Sequence, residues 1–320
     1  MPKATVAIVC FNEEKNIVEC LNSLLTGFCR PKEYEILVID NNSQDGTRKA
    51  VREFVKAKKI RLIINKKRGI ASSRNIAVKE AKSELLAFID ADCVAPKNWL
   101  KNLVQGFEKY KKENRKIVAV GGGNRPPQTT LFYQALGLFL NTFLGSRGSV
   151  QGARFLKDKL APHLPCFNVL FEKKRIIEVG GFDENLGSII EDEDLTYRLS
   201  KKGYQFMYLA GNEVIHKMRS DLISWGKNMF TYGKGRAWFL QKYPERTHFF
   251  FLLPIILILG FELLCPFYFS FMFIYSLFLV LRKRKLNLFF YVFSLYLTTH
   301  LAYGLGEIYG FLINRYKVKD

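Results

Sequence analysis

The sequence predicts an α/β fold built on a parallel, doubly wound sheet, followed by a region of different composition. Short apolar runs alternate with amphipathic helical patterns over residues 5–120, which is typical of strand–helix–strand units. Polar residues come directly after several of these runs. From residue 248 onward the chain is almost continuously apolar. The sequence therefore indicates a catalytic or binding domain at residues 1–240 and a separate membrane region at residues 241–320.

The composition limits the classes of partner. A chain of 320 residues with 48% hydrophobic content can form one large domain or two smaller ones. Its net charge of +20 favours a polyanionic partner, namely nucleic acid, anionic lipid or a phosphate-rich substrate. The six cysteines have no Cys-x-x-Cys spacing, so we expect reduced thiols facing the cytoplasm rather than a zinc site. We also expect no signal peptide, because a strand pattern starts soon after Met1.

Three strands precede the central one. They are predicted at residues 5–10, 35–40 and 61–65. Asn12 and Glu13 follow the first strand, Asp40 ends the second, and a helix at residues 69–81 follows the third. In a parallel sheet the carboxyl ends of such strands lie along one edge, where ligands bind. The side chains of Asn12, Glu13 and Asp40 are therefore predicted to line a nucleotide pocket.

The fourth strand, residues 85–89, ends in Asp90 and Asp92. If the chain stays extended, both carboxylates project to the same side, with Ala91 between them. Two carboxylates held together repel each other unless a cation neutralises them, and Mg²⁺ or Mn²⁺ prefers oxygen ligands. The alternative is a solvated turn after a strand. No glycine-rich phosphate loop follows any of these strands, which favours a metal as the partner of a bound diphosphate.

A run of four acidic residues, 191–194, precedes a helical pattern that includes Leu195 and Leu199. Acidic residues suit the positive end of a helix dipole, but four of them in a basic protein also repel one another. The second interpretation is a general base whose neighbours raise its pKa. Upstream, residues 166–171 form a predicted strand, and residues 132–143 form a helix that could face an acceptor.

Taken together, the motifs resemble those of the family-two inverting glycosyltransferases of GT-A fold, in which helices flank a mixed, mostly parallel sheet. The resemblance covers about residues 3–240 and rests on motifs at 11–14, 38–47, 74–75, 90–92, 180–184 and 191–195. It implies an inverting hexosyltransferase that uses a UDP- or GDP-sugar. The nucleotide-binding residues that it implies are Phe11, Asn12, Glu13, Asp40, Arg74 and Asp90.

The resemblance also assigns the remaining site residues. Asp90 and Asp92 would hold Mn²⁺ or Mg²⁺, and Asp192 would be the catalytic base. His216 matches a metal ligand of some relatives, although a single histidine at a strand end is often structural. We expect the acceptor side to include Glu191, Asp194 and Asn168. The Gln-x-x-Arg-Trp motif of processive synthases is missing at residues 225–233, so we expect one sugar to be added per encounter.

The apolar stretches at residues 248–281 and 286–313 are predicted to be membrane helices. The first is too long for one upright span, and Pro254 and Pro266 offer break points, so two or three spans are possible. Basic residues 282–285 should remain cytoplasmic, and with a cytoplasmic catalytic domain they favour three short spans over two in a multi-pass protein of the cell membrane. The basic residues 315–319 favour two spans, so the number of spans stays open. This region resembles membrane-bound glucosyltransferases that build lipid-linked oligosaccharides and exopolysaccharides.

The sequence therefore predicts metal-dependent transfer of a sugar from a nucleotide donor to a lipid-linked saccharide acceptor. A second enzyme hypothesis is a polyprenyl-phosphate sugar synthase, in which the acceptor is the free lipid phosphate. A third hypothesis, which the charge alone suggests, is a basic nucleic-acid-binding membrane protein. No nucleic-acid-binding motif occurs, so we expect no nucleic-acid partner. An inactive scaffold of the same fold is a fourth.

Overall fold

A computed structural model describes residues 2–27, 33–186 and 189–313. The chain divides into two compact units. Unit 1 comprises Met1–Arg125 and Ser149–His216, and unit 2 comprises Pro126–Gly148 and Lys217–Asp320. Residues 315–319 and Cys29 lie outside the described residues. The domain boundary predicted at residue 240 remains a prediction.

Among the described residues, all strands lie in unit 1. Their bounds are β1 Ala4–Cys10, β2 Tyr34–Asp40, β3 Arg61–Ile64, β4 Leu85–Asp90, β5 Cys93–Val94, β6 Ile117–Gly121, β7 Asn124–Arg125, β8 Lys159–Ala161, β9 Asn168–Glu172, β10 Gln205–Tyr208 and β11 Val214–His216. The main sheet has eight strands in the order β3-β2-β1-β4-β9-β6-β10-β8. A second sheet has the order β5-β11-β7.

The helices have the following bounds: α1 Ile17–Gly27, α2 Thr47–Lys56, α3 Ile70–Glu80, α4 Trp99–Glu113, α5 Leu131–Leu140, α6 Phe143–Ser146, α7 Lys173–Glu178, α8 Glu191–Lys201, α9 Leu222–Lys242, α10 Phe249–Leu259, α11 Phe261–Arg282 and α12 Phe289–Leu312. Two apolar cores lie in unit 1, and they are built largely from side chains of the central strands. A third core, in unit 2, joins residues of α5, α9, α11 and α12.

The main sheet is mixed, as the predicted GT-A fold requires. Strand β1 is parallel to β2 and β4, and β2 is parallel to β3, so the first four sequence-predicted strands form one parallel block. Strand β9 is inserted antiparallel between β4 and β6. In this register Cys10 pairs with Asp40 and Val9 with Asp90, which brings the carboxyl ends of β1, β2 and β4 to one edge. The predicted α/β fold is confirmed, whereas a purely parallel sheet is not found.

The first apolar stretch is interrupted at Gly260 and not at either proline that the sequence offers as a break point. Pro254 lies inside α10 and Pro266 lies inside α11, and the two helices meet at Gly260. Each proline is the sixth residue of its helix, and the helix continues through it. Gly260, which has no side chain and low helix propensity, takes the interhelical position instead.

Two helices in the described part of the chain are long and apolar enough to cross a membrane, Phe261–Arg282 and Leu286–Leu312. Helix α10 has only 11 residues. Large apolar side chains of α11 are exposed, including Leu263 at 76% and Phe267 at 74%. Exposed apolar side chains at this density are typical of a surface that another apolar phase covers.

Candidate active site

Asp40 is the last residue of β2 and lies at the edge of the sheet where the site is formed. Its side chain is fully buried, and Arg48 of α2 donates from Nε to Oδ2 over 2.7 Å. The backbone N–H of Ser43 donates to both carboxylate oxygens, at 3.2 and 3.3 Å. A buried carboxylate needs such donors because its desolvation is otherwise costly. These contacts fix the turn that follows β2.

The loops after β1 and β2 are tied to each other by side chains. Asn12, whose φ is +55°, accepts a hydrogen bond from the backbone N–H of Gln44 over 2.8 Å. The N–H of Asn12 donates to Ser43 Oγ over 3.0 Å, and that of Glu13 donates to Thr47 Oγ1 over 2.8 Å. Asparagine tolerates the left-handed conformation better than most residues. The motif at 11–14 and the motif at 38–47 are thus one structural element.

An aromatic ring stands at the open side of these loops. The Phe11 side chain is 43% exposed, and the Arg68 guanidinium carbon lies 5.3 Å from its ring centroid. A cation over an aromatic face is a favourable electrostatic contact. The pair forms an exposed flat surface next to the loops that follow β1 and β2.

Asp92 and His216 are brought together by the small second sheet. Strand β5 pairs antiparallel with β11 so that Cys93 lies opposite His216. His216 Nε2 is 3.2 Å from Asp92 Oδ1, and Asn124 Nδ2 lies 3.3 Å from His216 Nδ1. Although burial acts in the opposite direction, the charge of Asp92 and its hydrogen bond raise the pKa of His216.

Asp90 and Asp92 are not on one extended segment, because β4 ends at Asp90 and the next two residues form a turn. The chain must turn here to enter β5. Loss of solvent raises the pKa of Asp90 against the lowering effect of Arg74, and the charge of Asp92 raises it further. The two carboxylates therefore repel each other in the protein alone, as the sequence argument expects.

Ligand atoms of Asp92, Cys93 and His216 lie within 4.8 Å of one another. Burial, followed by the charges of Asp92 and Asp90, raises the pKa of the Cys93 thiol well above its usual range. Thiolate sulfur selects softer metals than Mg²⁺ or Mn²⁺, which prefer oxygen ligands. For such a cation the usable donors of this cluster are therefore the carboxylate oxygen of Asp92 and the imidazole nitrogen of His216.

Arg74 connects the two groups of acidic residues. This buried side chain of α3 forms an ion pair from Nη1 to Oε1 of Glu191, and its Nη2 lies 3.7 Å from Asp90 Oδ1. Burial raises the pKa of Glu191 to about 7 against the lowering effect of Arg74, and the charge of Asp192 adds to the rise. The end of β4 and the start of α8 are thus held by one guanidinium group.

Asp192 lies in the first turn of α8 with both carboxylate oxygens near hydrogen-bond donors. Oδ1 accepts from the N–H of Glu193 over 2.8 Å, and Oδ2 accepts from the N–H of Cys166 over 3.3 Å. The Nε2 atom of His163 lies 3.9 Å from Oδ2. The Asp192 side chain is 22% exposed, so a substrate hydroxyl can reach it.

Asn168 and Asp194, two of the predicted acceptor-side residues, make buried hydrogen bonds and an ion pair within the fold. Asn168 is fully buried; it accepts from Trp99 Nε1 over 2.8 Å and donates to the carbonyls of Gly123 and Asn212. Asp194 is also fully buried and pairs with Arg198, whose Nη2 donates to Gly181 O over 2.7 Å. In this structure both side chains stabilise the fold around the site, and their acceptor-side roles remain predictions.

Sequence reasoning missed three residues of the site: Arg48, Arg68 and His163. Arg48 is the second residue of α2 and follows the turn after Asp40, a position that could have suggested contact with that carboxylate. Arg68 and His163 lie in segments without periodicity, and only the folded chain places them beside Phe11 and Asp192.

The mixed main sheet has Asp40 and Asp90 at the carboxyl ends of its strands, and His216 ends a strand of the second sheet; this is the architecture expected of the GT-A class of glycosyltransferases. The model of Glycosyl transferase family 2 matches residues 5–179. The chain belongs to this family, and the predicted enzyme class is confirmed.

Relatives agree with this assignment. Glycosyltransferase AglE of Haloferax volcanii is 27% identical over 285 residues, which is 84% of either chain. A dolichyl N-acetyl-alpha-D-glucosaminyl phosphate 3-beta-D-2,3-diacetamido-2,3-dideoxy-beta-D-glucuronosyltransferase of Methanococcus voltae is 31% identical over 121 residues, 37% of this chain and 38% of that protein. The solved structure of a mannosyltransferase from Pyrobaculum calidifontis with GDP-Man and Mn²⁺ has the same fold. Its TM-score is 0.63 and its identity 17%, over 93% of this chain and 87% of that one.

Proposed function

We propose that the protein transfers a sugar from a nucleoside-diphosphate donor to a lipid-linked saccharide, with inversion, at the cytoplasmic face of the cell membrane. The observation that carries this proposal is the Arg74 contact with both Asp90 and Glu191. It joins the acidic end of β4 and the start of α8 into one site. A donor-binding carboxylate group and a general base must be this close for a single displacement.

We assign a divalent-cation site to Asp92 and His216, with Asp90 beside them. The donor set fits Mn²⁺ or Mg²⁺, and its imidazole favours Mn²⁺, because Mg²⁺ in proteins takes oxygen ligands. When bound, the cation would neutralise the negative charge of the diphosphate leaving group. Only one residue separates Asp90 from Asp92, so a cation at this position would relieve the repulsion between the two carboxylates.

The nucleotide would lie across the loops that follow β1 and β2. The exposed Phe11 ring and the Arg68 guanidinium offer a flat surface for a base, and Asp40, Asn12 and Glu13 shape the loops beneath it. Asp40 itself is fully buried, so we assign it to holding the loop rather than to direct contact with the nucleoside. Arg74 lies beside the carboxylates, where it would limit their repulsion of the diphosphate.

We assign the role of general base to Asp192. The acceptor hydroxyl gives its proton to a carboxylate oxygen of Asp192 as its own oxygen bonds to the anomeric carbon. The bond from that carbon to the diphosphate oxygen breaks at the same time, and attack from the opposite face inverts the anomeric centre. Glu191, which is paired with Arg74, is a less suitable base because its carboxylate is buried and already bonded.

Two observations support a lipid-linked acceptor and a membrane location. Helices α11 and α12 are long and apolar enough to cross a membrane. The Methanococcus voltae relative is named for transfer to a dolichyl-phosphate-linked sugar. Basic residues at the end of α11, among them Arg282, favour a cytoplasmic position for that end.

The test is a transfer assay with full-length protein in detergent and a panel of UDP- and GDP-sugars. Each donor is offered with and without Mn²⁺ and with a polyprenyl-linked saccharide. We expect one donor to be consumed in a metal-dependent manner, with a glycosylated lipid of inverted anomeric configuration as the product. Turnover that is unaffected by chelation would contradict the metal assignment, and the absence of turnover with every donor would contradict the proposed function.

A further inference from the structure

Unit 2 contains a cavity of about 260 Å³ at the C-terminal end of α11. Its lining includes Asn141 and Thr142, which connect α5 to α6, and it includes Arg282 and Lys283. Arg282 is the last residue of α11 and Lys283 follows it directly. The two basic side chains therefore border one space, and every residue that lines it belongs to unit 2. We call this space the α11 cavity.

One face of α11 supplies both apolar and charged lining. Tyr275, Phe278, Leu279 and Arg282 follow one another at helical spacing, so they share that face. Leu138 of α5 adds to the apolar part of the lining. The lining thus changes from apolar to cationic over about 10 Å along the helix. A lipid has the same order of chemistry, because its apolar chains end in a polar head group.

The lining is held in place by a buried tyrosine of α12. The hydroxyl of Tyr296 lies 2.7 Å from Thr142 Oγ1, which also accepts from the N–H of Gly145 over 3.1 Å. The Tyr296 ring is fully buried and lies edge-on to that of Tyr275, with 5.6 Å between the centroids. Residues of the α5–α6 connection and of α11 are thus fixed around one side chain. Such preorganisation lowers the entropic cost of binding a ligand.

The positive charge at this cavity has no counterpart on the neighbouring segments of the chain. Residues 282–285 are four consecutive bases, whereas residues 126–148 and 263–306 include neither Asp nor Glu. Within the described part of the chain, Arg282 and Lys283 form no hydrogen bond or ion pair, and both side chains are exposed. Adjacent like charges repel each other. A bound anion would relieve that repulsion.

Membrane topology explains only part of this arrangement. Basic residues at the end of a span are expected on the cytoplasmic side, wherever their side chains point. Topology does not require two of them to line a cavity with Asn141 and with the ring of Tyr275. The neighbouring bases, Arg284 and Lys285, are not part of the lining. The cavity therefore separates two pairs of bases that the sequence alone cannot distinguish.

We propose that the α11 cavity binds an anionic phospholipid of the bilayer, with its phosphate at Arg282 and Lys283 and an acyl chain along Phe278 and Leu279. Guanidinium and ammonium groups both donate hydrogen bonds to phosphate oxygens. The volume, about 260 Å³, suits a head group and is below the range of about 300–1,000 Å³ that is typical of sites for whole small molecules. Phospholipids surround every membrane helix, so they are the expected source of the phosphate.

The inference rests on the membrane location given in the proposed function and not on sugar transfer. The experiment therefore measures lipid binding without turnover. Full-length protein in a neutral detergent is titrated with phosphatidylglycerol, phosphatidylcholine and polyprenyl phosphate, and each bound lipid is counted by native mass spectrometry. The variant R282Q/K283Q is compared with R284Q/K285Q. This matched control removes the same charge from the next two positions and leaves the cavity lining unchanged.

We expect R282Q/K283Q to bind phosphatidylglycerol at least about tenfold more weakly, and R284Q/K285Q to change by less than about twofold. Phosphatidylcholine should bind more weakly to the wild-type protein, because its ammonium group offsets the phosphate charge. Equal losses in the two variants would show that the run of charges attracts the lipid without the cavity, and they would overturn the proposal. Selective loss of polyprenyl phosphate in R282Q/K283Q would overturn the assignment to a bilayer lipid.

A second variant tests the cavity without changing any charge. Leu138→Trp places a larger side chain in the apolar part of the lining and should also weaken phosphatidylglycerol binding. Undiminished binding by this variant contradicts an acyl chain in the cavity. If Leu138→Trp does not fold, the two charge variants decide, because Arg282 and Lys283 are exposed and their replacement should leave folding intact.

Donor turnover is measured separately on the wild-type protein. Lipid binding that depends on Arg282 and Lys283, with no donor consumed, would contradict the proposed sugar transfer and support the lipid site. Donor turnover together with unchanged lipid binding by R282Q/K283Q would contradict the lipid site alone.

Discussion

His163 and Asp192 face each other across 3.9 Å, measured from Nε2 to Oδ2, while His163 Nδ1 lies 2.9 Å from Thr196 Oγ1. The Thr196 hydroxyl donates within α8, to the carbonyl of Asp192 or Glu193 at 3.0 Å. Thr196 therefore holds the His163 ring at Nδ1, with the donor of that bond set by the tautomer of the ring. The other ring nitrogen, Nε2, is the one that faces the carboxylate of Asp192. We expect His163 to be a positioning residue for Asp192.

The substitution His163→Gln should lower kcat by about tenfold and leave the KM for the donor nearly unchanged. The physical reason is that Asp192 loses the imidazole that lies 3.9 Å from its Oδ2 atom, whereas the donor is proposed to bind at the ends of β1, β2 and β4. The pH dependence of kcat is the informative measurement, because a merely structural role would scale the whole profile without shifting it. An unshifted profile, or equal loss of donor affinity, would argue against the positioning role.

The substitution Asp192→Asn should lower turnover by at least about a hundredfold, as expected for the loss of a general base. Donor binding and thermal unfolding should change little, because the side chain keeps its shape and partial exposure. Glu193→Gln is the matched control, since it removes one charge from the same turn and should keep activity within about twofold. Near-normal turnover of Asp192→Asn would exclude this residue as the base.

The substitutions Asp92→Asn and His216→Gln should each weaken Mn²⁺ binding by at least about tenfold, because each removes a donor of the proposed cation site. Binding is measured by isothermal titration with Mn²⁺ in the presence of the nucleoside diphosphate. Cys93→Ser is the control, because a sulfur ligand is not expected for Mn²⁺ or Mg²⁺, which prefer oxygen. A large effect of Cys93→Ser with none of His216→Gln would reverse the assignment.

Glu35 gives a pH prediction that is independent of the site. Although burial acts in the opposite direction, hydrogen bonds from Arg61, Thr5 and the Lys82 N–H lower the pKa of Glu35 below its usual value of 4.5. A carboxyl with a lowered pKa stabilises the fold above pH 4.5, and that contribution is lost as the pH falls through the folded-state value.

We therefore expect Glu35→Gln to lower the free energy of unfolding by about 1 kcal/mol at pH 7 and to make the loss of stability below pH 4.5 shallower. Glu53→Gln is the control, because the Glu53 side chain is 70% exposed. Unfolding is followed by circular dichroism from pH 7 to pH 3. Parallel stability curves for Glu35→Gln and wild type would contradict the prediction.

Backbone contact between α9 and α12 predicts a strong effect of one methyl group. A Cβ at Gly233 would lie 2.0 Å from the backbone oxygen of Tyr303, which cannot move without shifting the helix. Gly233→Ala should cost at least about 1–3 kcal/mol from overpacking, despite the better helix propensity of alanine. At Gly226 of the same helix the Cβ would meet only a Thr298 methyl, at 3.0 Å, so Gly226→Ala is the control. Equal unfolding temperatures for the two variants in detergent would contradict this account.

Much of the site could be predicted because it depends on strand order. Asp40 and Asp90 end apolar runs that are buried on both faces, so their convergence follows once both strands are parallel neighbours of β1. Asp92 and His216 are different. Their contact depends on the pairing of two short strands, β5 and β11, whose sequences carry too few residues to show a period.

The sequence by itself determined the α/β class, the acidic groups at the strand ends and the apolar C-terminal region, because each is encoded in a local run of residues. The tertiary structure alone decided the break at Gly260, the structural contacts of Asn168 and Asp194, the placement of His163 beside Asp192, and the cavity that Asn141 and Thr142 share with Arg282 and Lys283. These features join side chains from distant parts of the chain. Their energies depend on desolvation and on which partner comes within contact distance, and neither is a property of a local pattern.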